Sequence, residues 1–289
     1  MNLYSCPADE ANLSEWQMRD LMCEIGRRCY ASKFNDANGG NISRRLDSER
    51  VLCTPTMISK GFMQPSDLVV VNMDGEQLAG ERVKSSEVLL HLFVYKHRPD
   101  INAAIHSHPR SATAFSVTNT PVPKCVIPEI EIFVGEVPIT DYGDPGTLEL
   151  AKTLEPYVKD FSVFLLSNHG ALSCGTGLIE AFWKMEIVDA YCETVIKALS
   201  LGPLSQVSAE HMQHIFNVKK AMGIPDRRMK DPVAASCQVP APAPKSGAPS
   251  APSAPPCAAS SSPPRPLAEG IDEKTVQAIV AKVLERLRA

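Results

Sequence analysis

One nine-residue segment, 101–109, constrains this chain more than any other because it places two histidines at the end of a predicted strand. Alternating apolar residues in 101–105 predict a short strand with one buried face. His106 and His108 follow, and Pro109 stops the strand. Side chains at i and i+2 of an extended segment project to the same side, so both imidazoles can reach one metal ion. The alternative is a pair of polar residues at an exposed strand end.

Two residues elsewhere in the chain favour the metal-site interpretation. Glu87 opens a predicted helix, and His169 follows a predicted buried strand at Phe161–Leu166. Three imidazoles and a carboxylate suit a zinc ion that leaves one position open for substrate. Each residue also has a simpler interpretation, since a lone histidine is usually structural and a glutamate in the first helical turn is favourable anyway.

Three polar loops are suited to an anion such as phosphate. The turn Asn38–Ser43 contains two glycines that expose backbone amides, and the strand Val51–Thr56 runs into a hydroxyl-rich loop. Lys84–Glu87 opens a helix, where amides and the helix dipole attract negative charge. Glycine pairs also connect hairpins, and serines also cap helices, so each loop has a purely structural alternative.

Charge and composition exclude several classes of function. The 289 residues carry a formal net charge of -4, which gives no electrostatic basis for binding nucleic acid or an anionic membrane. Apolar runs are too short for a transmembrane helix. The first residues show neither a basic flank nor an apolar signal core. We therefore expect a cytoplasmic protein with no nucleic-acid or membrane partner.

The composition changes abruptly after residue 232, which predicts three regions. Residues 1–232 are long enough for a full-sized catalytic domain. Residues 233–268 consist largely of Pro, Ala and Ser and predict a disordered linker. Residues 269–289 regain a helical period with one apolar stripe. An isolated helix of this length is marginal in water, so it should require a partner.

Six motifs in this sequence occur in the order and spacing of the class II aldolase/adducin family. They are Gly39–Ser43, Thr54–Thr56, Ser85–Glu87, His106–His108, Tyr142–Thr147 and Asn168–Gly170. The chain resembles that family over roughly residues 10–225. The resemblance implies an α/β fold, a three-layer α/β/α domain around a mainly antiparallel central sheet. It also implies a homotetramer with active sites at subunit interfaces.

The resemblance further assigns roles to individual residues. His106, His108 and His169 would hold Zn²⁺, and Glu87 would be a fourth ligand that swings free to act as a base. The substrate phosphate would be held by Gly40, Asn41, Thr56, Ser85 and Ser86.

The activity that the resemblance implies is zinc-dependent cleavage of a ketose 1-phosphate, such as L-fuculose 1-phosphate, to dihydroxyacetone phosphate and lactaldehyde. A 4-epimerase branch of the family carries aspartate where Glu87 stands, which favours an aldolase. A 4-epimerase or a sugar-phosphate dehydratase on the same scaffold is the alternative enzyme. An adducin-type interaction domain without metal is the non-catalytic alternative, and it would be expected to have lost the three histidines.

Two positions depart from the family pattern. Met57 stands where a glycine is expected after the threonine of the phosphate loop, which bears on the shape of that loop. The tyrosine that donates a proton in related aldolases aligns near Ile127, and Glu129 or Tyr142 would have to substitute for it.

The last 57 residues exceed the usual length of the family. A Pro/Ala/Ser linker followed by a short amphipathic helix resembles the encapsulation peptides that load enzymes into bacterial microcompartments. The implied partner of residues 269–289 is a microcompartment shell protein, and the implied location is the inside of such a compartment.

Overall fold

The computed structural model describes residue 10 and residues 12–230. The linker and terminal helix expected at 233–268 and 269–289 lie outside this part of the chain, so both stay predictions. The strands of the described part are β1 Asn41–Arg45, β2 Arg50–Cys53, β3 Val69–Asn72, β4 Gln77–Ala79, β5 Ala103–Ser107, β6 Ile139–Thr140, β7 Val163–Leu166 and β8 Gly170–Gly175. Its α-helices are α1 Glu15–Ala31, α2 Val88–His97, α3 Arg110–Thr118, α4 Pro128–Phe133, α5 Leu148–Lys152, α6 Leu178–Leu201 and α7 Ala209–Ala221.

All eight of these strands join one sheet in the order β4-β3-β2-β1-β5-β8-β7-β6. Every neighbouring pair is antiparallel except β6 and β7 at one edge, which are parallel. The mainly antiparallel central sheet is therefore confirmed.

The central strand β5 differs from the sequence prediction because both of its faces are buried. Ala103 and Ile105 pack among apolar residues of α1, α3 and α6. Ala104 packs on the opposite face, among residues of α2 and α5. The expected single buried face is wrong because β5 lies between β1 and β8 in the middle of the sheet, where helices cover both sides.

The same alternation runs through the neighbouring strands and produces three layers. In β7, Val163 and Leu165 belong to the core of α1, α3 and α6, whereas Phe164 and Leu166 belong to the core of α2 and α5. Since side chains in a strand alternate between faces, two helical layers enclose the sheet. The three-layer α/β/α architecture is confirmed.

No helix among residues 10 and 12–230 is long and apolar enough to span a membrane.

Candidate metal centre and phosphate-binding loops

Three histidines converge at one end of the sheet. His106 lies in β5, His108 follows β5, and His169 lies in the turn between β7 and β8. The antiparallel pairing of β5 with β8 places the end of one strand beside the beginning of the other, so the three rings meet. Their ring centroids are 4.6–5.1 Å apart, and one nitrogen from each lies within 4.8 Å of the others.

The backbone orients the buried His106 ring toward this cluster. Its Nδ1 lies 2.9 Å from the carbonyl oxygen of Ala171. Because a carbonyl only accepts hydrogen bonds, Nδ1 carries the proton and Nε2 keeps its lone pair. That Nε2 lies 3.2 Å from Nε2 of His108. A metal-binding histidine typically donates its other ring N–H to a backbone carbonyl in this way, which fixes the orientation of the ring.

The environment keeps all three imidazoles neutral at physiological pH. Burial lowers the pKa of His106 well below its ordinary value, and the adjacent His108 and His169 lower it further. Burial also lowers the pKa of His108 and of His169. Neutral imidazole is the form that binds a metal ion.

Glu87 faces the same cluster from the beginning of α2. Its Oε2 lies 3.4 Å from Nε2 of His106, and its Oε1 lies 3.5 Å from Nε2 of His169. The side-chain amide of Asn41 donates to Oε2 at 2.9 Å and fixes the carboxylate. Burial raises the pKa of Glu87, against the opposing effects of His169, Asn41 and Lys60. A largely buried carboxyl group with a raised pKa is suited to proton transfer.

The donor set fits a zinc ion. Zn–N bonds of ~2.0–2.1 Å in a tetrahedral site put neighbouring ligand atoms about 3.4 Å apart. The 3.2 Å between Nε2 of His106 and Nε2 of His108 is close to this spacing, as are the 3.4 and 3.5 Å from Glu87 to His106 and His169. The three histidine nitrogens as a set lie within 4.8 Å of one another. Three neutral nitrogen donors and one carboxylate oxygen are also the ligand types that zinc prefers.

Gly170 provides the space that the His108 ring occupies. A Cβ atom at Gly170 would lie 2.5 Å from Cδ2 of His108 and 2.6 Å from the carbonyl oxygen of Ser107. Neither distance is tolerated by real Cβ atoms, so a larger residue must displace the ring or the strand. Asn168-His-Gly170 therefore contributes to the site through the glycine as well as through His169.

Replacing Gly170 with alanine should weaken zinc binding by tenfold or more, because His108 would move out of register with the other donors. Zinc affinity measured by competition with a chelator checks this expectation. Gly202→Ala is the matched control, since a Cβ there meets no atom within 4 Å among the described residues. Equal zinc affinity in Gly170→Ala and the wild type would contradict it.

The three polar loops meet next to these histidines. Thr54 Oγ1 accepts a hydrogen bond from the amide of Ile42 at 3.1 Å, just after the glycine turn. The amide of Ser85 donates to the carbonyl oxygen of Thr54 at 3.2 Å. Ser85 Oγ in turn accepts from the amide of Glu87 at 3.3 Å. These contacts bring the glycine turn, the threonine loop and the double serine to one place.

The structure gives the five expected phosphate residues different environments. Gly40 has a φ of +70°, and a Cβ there would lie 2.5 Å from Oδ1 of Asn35, so only glycine fits. Ser85 is buried, Thr56 is half-buried and Ser86 is exposed. The side-chain amide of Asn41 is already committed to Glu87.

Several backbone amides in these loops are free to bind a ligand. The amides of Gly40, Met57, Ile58 and Ser86 donate to no acceptor within residues 10 and 12–230. Met57 adopts a left-handed φ of +55°, the conformation that a glycine would favour, and its side chain is 78% exposed. The loop thus keeps a glycine-like backbone although the side chain is methionine.

The candidate proton donors lie on two other segments. Ile127 precedes α4 and Glu129 lies exposed within it. Tyr142 is exposed, and its hydroxyl donates to Oδ1 of Asp144 at 2.9 Å. The turn that contains Tyr142 borders the phosphate loops, since a Cβ at Gly146 would lie 3.4 Å from Cβ of Ser86.

Comparisons with known proteins agree with this geometry. The sequence profile of the family described as "Class II Aldolase and Adducin N-terminal domain" matches residues 20–196. The chain is 34% identical over 166 residues to L-fuculose phosphate aldolase of Methanocaldococcus jannaschii, covering 57% of this chain and 88% of the relative. It is 33% identical over 173 residues to 3-oxo-tetronate 4-phosphate decarboxylase of Haemophilus influenzae, covering 58% and 82%. The crystal structure of YgbL from Klebsiella pneumoniae superimposes on this chain with a TM-score of 0.66 at 29% identity, covering 71% of this chain and all of that one. YgbL is described as "a putative aldolase/epimerase/decarboxylase".

Proposed function

The chain belongs to the class II aldolase and adducin family, whose profile matches residues 20–196, and we propose that it is a zinc-dependent carbon–carbon lyase acting on a small sugar phosphate. The observation that carries the proposal is the convergence of three neutral imidazoles and Glu87 beside three anion-suited loops. An adducin-type domain without chemistry would have no need of this donor set.

We propose cleavage of a ketose 1-phosphate, with L-fuculose 1-phosphate as the first candidate, to dihydroxyacetone phosphate and an aldehyde. When bound, Zn²⁺ supplies a Lewis acid that stabilises the negative charge developing on substrate oxygens. The phosphate loops hold the far end of the substrate, so that binding energy orients the carbons that separate. Glu87, positioned by Asn41, exchanges a proton with the carbon that loses its neighbour.

A decarboxylase is the second candidate, and the chemistry of the two reactions explains how one site could serve either. Cleavage of the C3–C4 bond of a ketose 1-phosphate, whose ketone is at C2, leaves dihydroxyacetone phosphate. A 3-oxo-tetronate 4-phosphate that loses its carboxyl group leaves the same molecule. The group that donates a proton in aldol addition must remove the hydroxyl proton in the reverse direction, in which the aldehyde is released. Release of CO2 requires no such group. Ile127, where related aldolases have a tyrosine, therefore favours the second candidate.

Incubating the zinc-loaded full chain with ketose 1-phosphates and with 3-oxo-tetronate 4-phosphate tests both candidates. We expect dihydroxyacetone phosphate from one of the two substrate classes, detected by a coupled reduction assay. An accompanying aldehyde identifies the aldolase, and CO2 identifies the decarboxylase. Epimerised pentulose phosphate without any cleavage, or no reaction with either class, would overturn the proposed carbon–carbon cleavage.

We also propose that the enzyme is a homotetramer and that residues 269–289 bind a shell protein of a bacterial microcompartment. The support for the second part is sequence alone: the linker is rich in Pro, Ala and Ser, and the apolar residues of the last segment fall on one helical stripe. The alternative, which requires no second protein, is that this segment packs onto its own enzyme and closes the active site.

Truncation separates these two alternatives. A chain ending at Val233 should retain the kcat, KM and Tm of the full chain and lose only capture by shell proteins, measured by co-purification. The double substitution Val280→Asp and Leu284→Asp should abolish capture in the full chain, since each charge enters the apolar stripe and carries a desolvation cost. Loss of turnover on truncation, with shell capture retained, would show that the helix belongs to the catalytic unit.

A further inference from the structure

Lys60 is a buried lysine that joins two of the phosphate-binding loops. Its side chain is 1% exposed. Its Nζ donates to the carbonyl oxygen of Asn38 in the glycine turn and to that of Ile58 in the threonine loop, both at 2.8 Å. An ammonium group has three N–H donors, so one remains after these two bonds. Lys60 lies outside the six family motifs, and no hydrophobic pattern in the sequence points to it.

The charge of Lys60 has no carboxylate partner within ion-pair distance among the described residues. Lys219 is equally buried at 1% exposure, and it shows the usual arrangement. The Nζ of Lys219 lies 2.7 Å from Oδ2 of Asp226 and also donates to a carbonyl oxygen. Buried charges are normally paired in this way because an unpaired one is costly to desolvate.

The cost of burying the Lys60 charge shows in its pKa. Burial lowers its pKa to about 8, with Glu87 opposing the shift. An anion bound between the glycine turn and the threonine loop would compensate the charge. The same two loops offer free amides at Gly40, Met57 and Ile58. A dianionic phosphate ester would therefore meet neutral amide donors together with one buried cation.

We infer that Lys60 is the cation that recognises the phosphate group of the substrate and selects phosphorylated over unphosphorylated sugars. This inference rests on the proposed function, in which the substrate is a phosphate ester. Lys60 acts as a binding residue for the phosphate group, whereas Glu87 acts on the carbons that separate. Charge-assisted hydrogen bonds to phosphate are roughly twice as strong as neutral ones, which makes such a lysine a determinant of affinity.

Three variants of the full chain test the role of the charge. Lys60→Gln keeps a hydrogen-bond donor on a shorter side chain and removes the charge, whereas Lys60→Arg keeps the charge. Lys219→Gln is the control, since it removes a buried lysine whose partners, Asp226 and the carbonyl oxygen of Glu131, lie outside the three phosphate loops. Inorganic phosphate is titrated calorimetrically into each zinc-loaded chain, and into the metal-free chain to separate binding at the loops from binding at the ion. Tm and zinc content are measured for every variant.

We expect Lys60→Gln to weaken phosphate binding about 10- to 100-fold and to raise KM for the phosphorylated substrate by a similar factor, with kcat within a few-fold of the wild type. Lys60→Arg should recover most of the loss, and Lys219→Gln should bind phosphate as the wild type does. If Lys60→Gln fails to fold, Lys60→Arg and Lys60→Met replace it, and the charged variant must bind more tightly than the neutral one.

Two different results would overturn the inference, and they separate an error in the substrate class from an error in the role of Lys60. If the wild type binds neither phosphate nor a phosphate ester, the proposed substrate class is wrong and the inference about Lys60 falls with it. If the wild type binds phosphate and Lys60→Gln binds it equally well, Lys60 only ties the two loops together. The proposed lyase activity is then unaffected, and the inference about Lys60 alone is overturned.

Discussion

Replacing His108 with alanine should remove most of the bound zinc and essentially all turnover. His108 supplies one of three imidazole nitrogens that lie within 4.8 Å of one another, and its Nε2 is 3.2 Å from that of His106. Without His108 the cluster keeps two imidazoles and one carboxylate, and the loss of one of its three nitrogen donors should lower its affinity for zinc. The zinc content of the purified chain, measured by mass spectrometry, and kcat/KM are the two readouts.

His214→Ala is the matched control for this experiment. His214 is exposed on α7, so its loss should leave both zinc content and turnover unchanged. A zinc-free His108→Ala chain with full activity would show that the histidine cluster is not the catalytic metal site. Restoration of turnover by excess zinc in His108→Ala would instead show that affinity was reduced while the remaining donors still assemble the site.

The convergence of the histidines was predictable because it follows from local geometry. His106 and His108 share a side by the two-residue period of a strand, and they do converge. His169 was expected at the end of a buried strand, and β7 does precede it. Periodicity could not show which strands are neighbours. The pairing of β5 with β8, which brings His169 to the other two, depends on the whole sheet.

Features that depend on distant parts of the chain were not accessible from sequence. Asn41 and Glu87 are 46 positions apart, and Lys60 reaches a carbonyl 22 positions away. The sequence shows Gly170 only as part of a motif, because its role is to leave space for the His108 ring, which depends on how the strands pack. Burial of both faces of β5 does not follow from the alternation in 101–105, although the adjacent Ala103 and Ala104 are a signal of a strand with two apolar faces.

Glu87→Gln should retain substantial zinc and lose about 10²-fold or more in kcat, because an amide cannot exchange a proton with the substrate. The substitution is nearly isosteric, and its side-chain oxygen can still accept the hydrogen bond that Asn41 donates to Oε2 at 2.9 Å. Steady-state kinetics, zinc content and Tm of the same preparation separate loss of chemistry from loss of structure.

The competing role for Glu87 is purely structural: a negative charge at the beginning of α2 would interact favourably with the helix dipole and stabilise the helix. That role predicts a loss of a few tenths to ~1 kcal/mol in stability and an unchanged rate. The structure argues against it, since the Glu87 side chain makes no capping hydrogen bond to α2 and its two oxygens face His106 and His169. Glu149→Gln, an exposed acid in the first turn of α5, is the control for a dipole effect. If Glu87→Gln changes Tm as little as Glu149→Gln does and leaves kcat intact, Glu87 does not move the proton, and the base must be sought among other groups that reach the substrate.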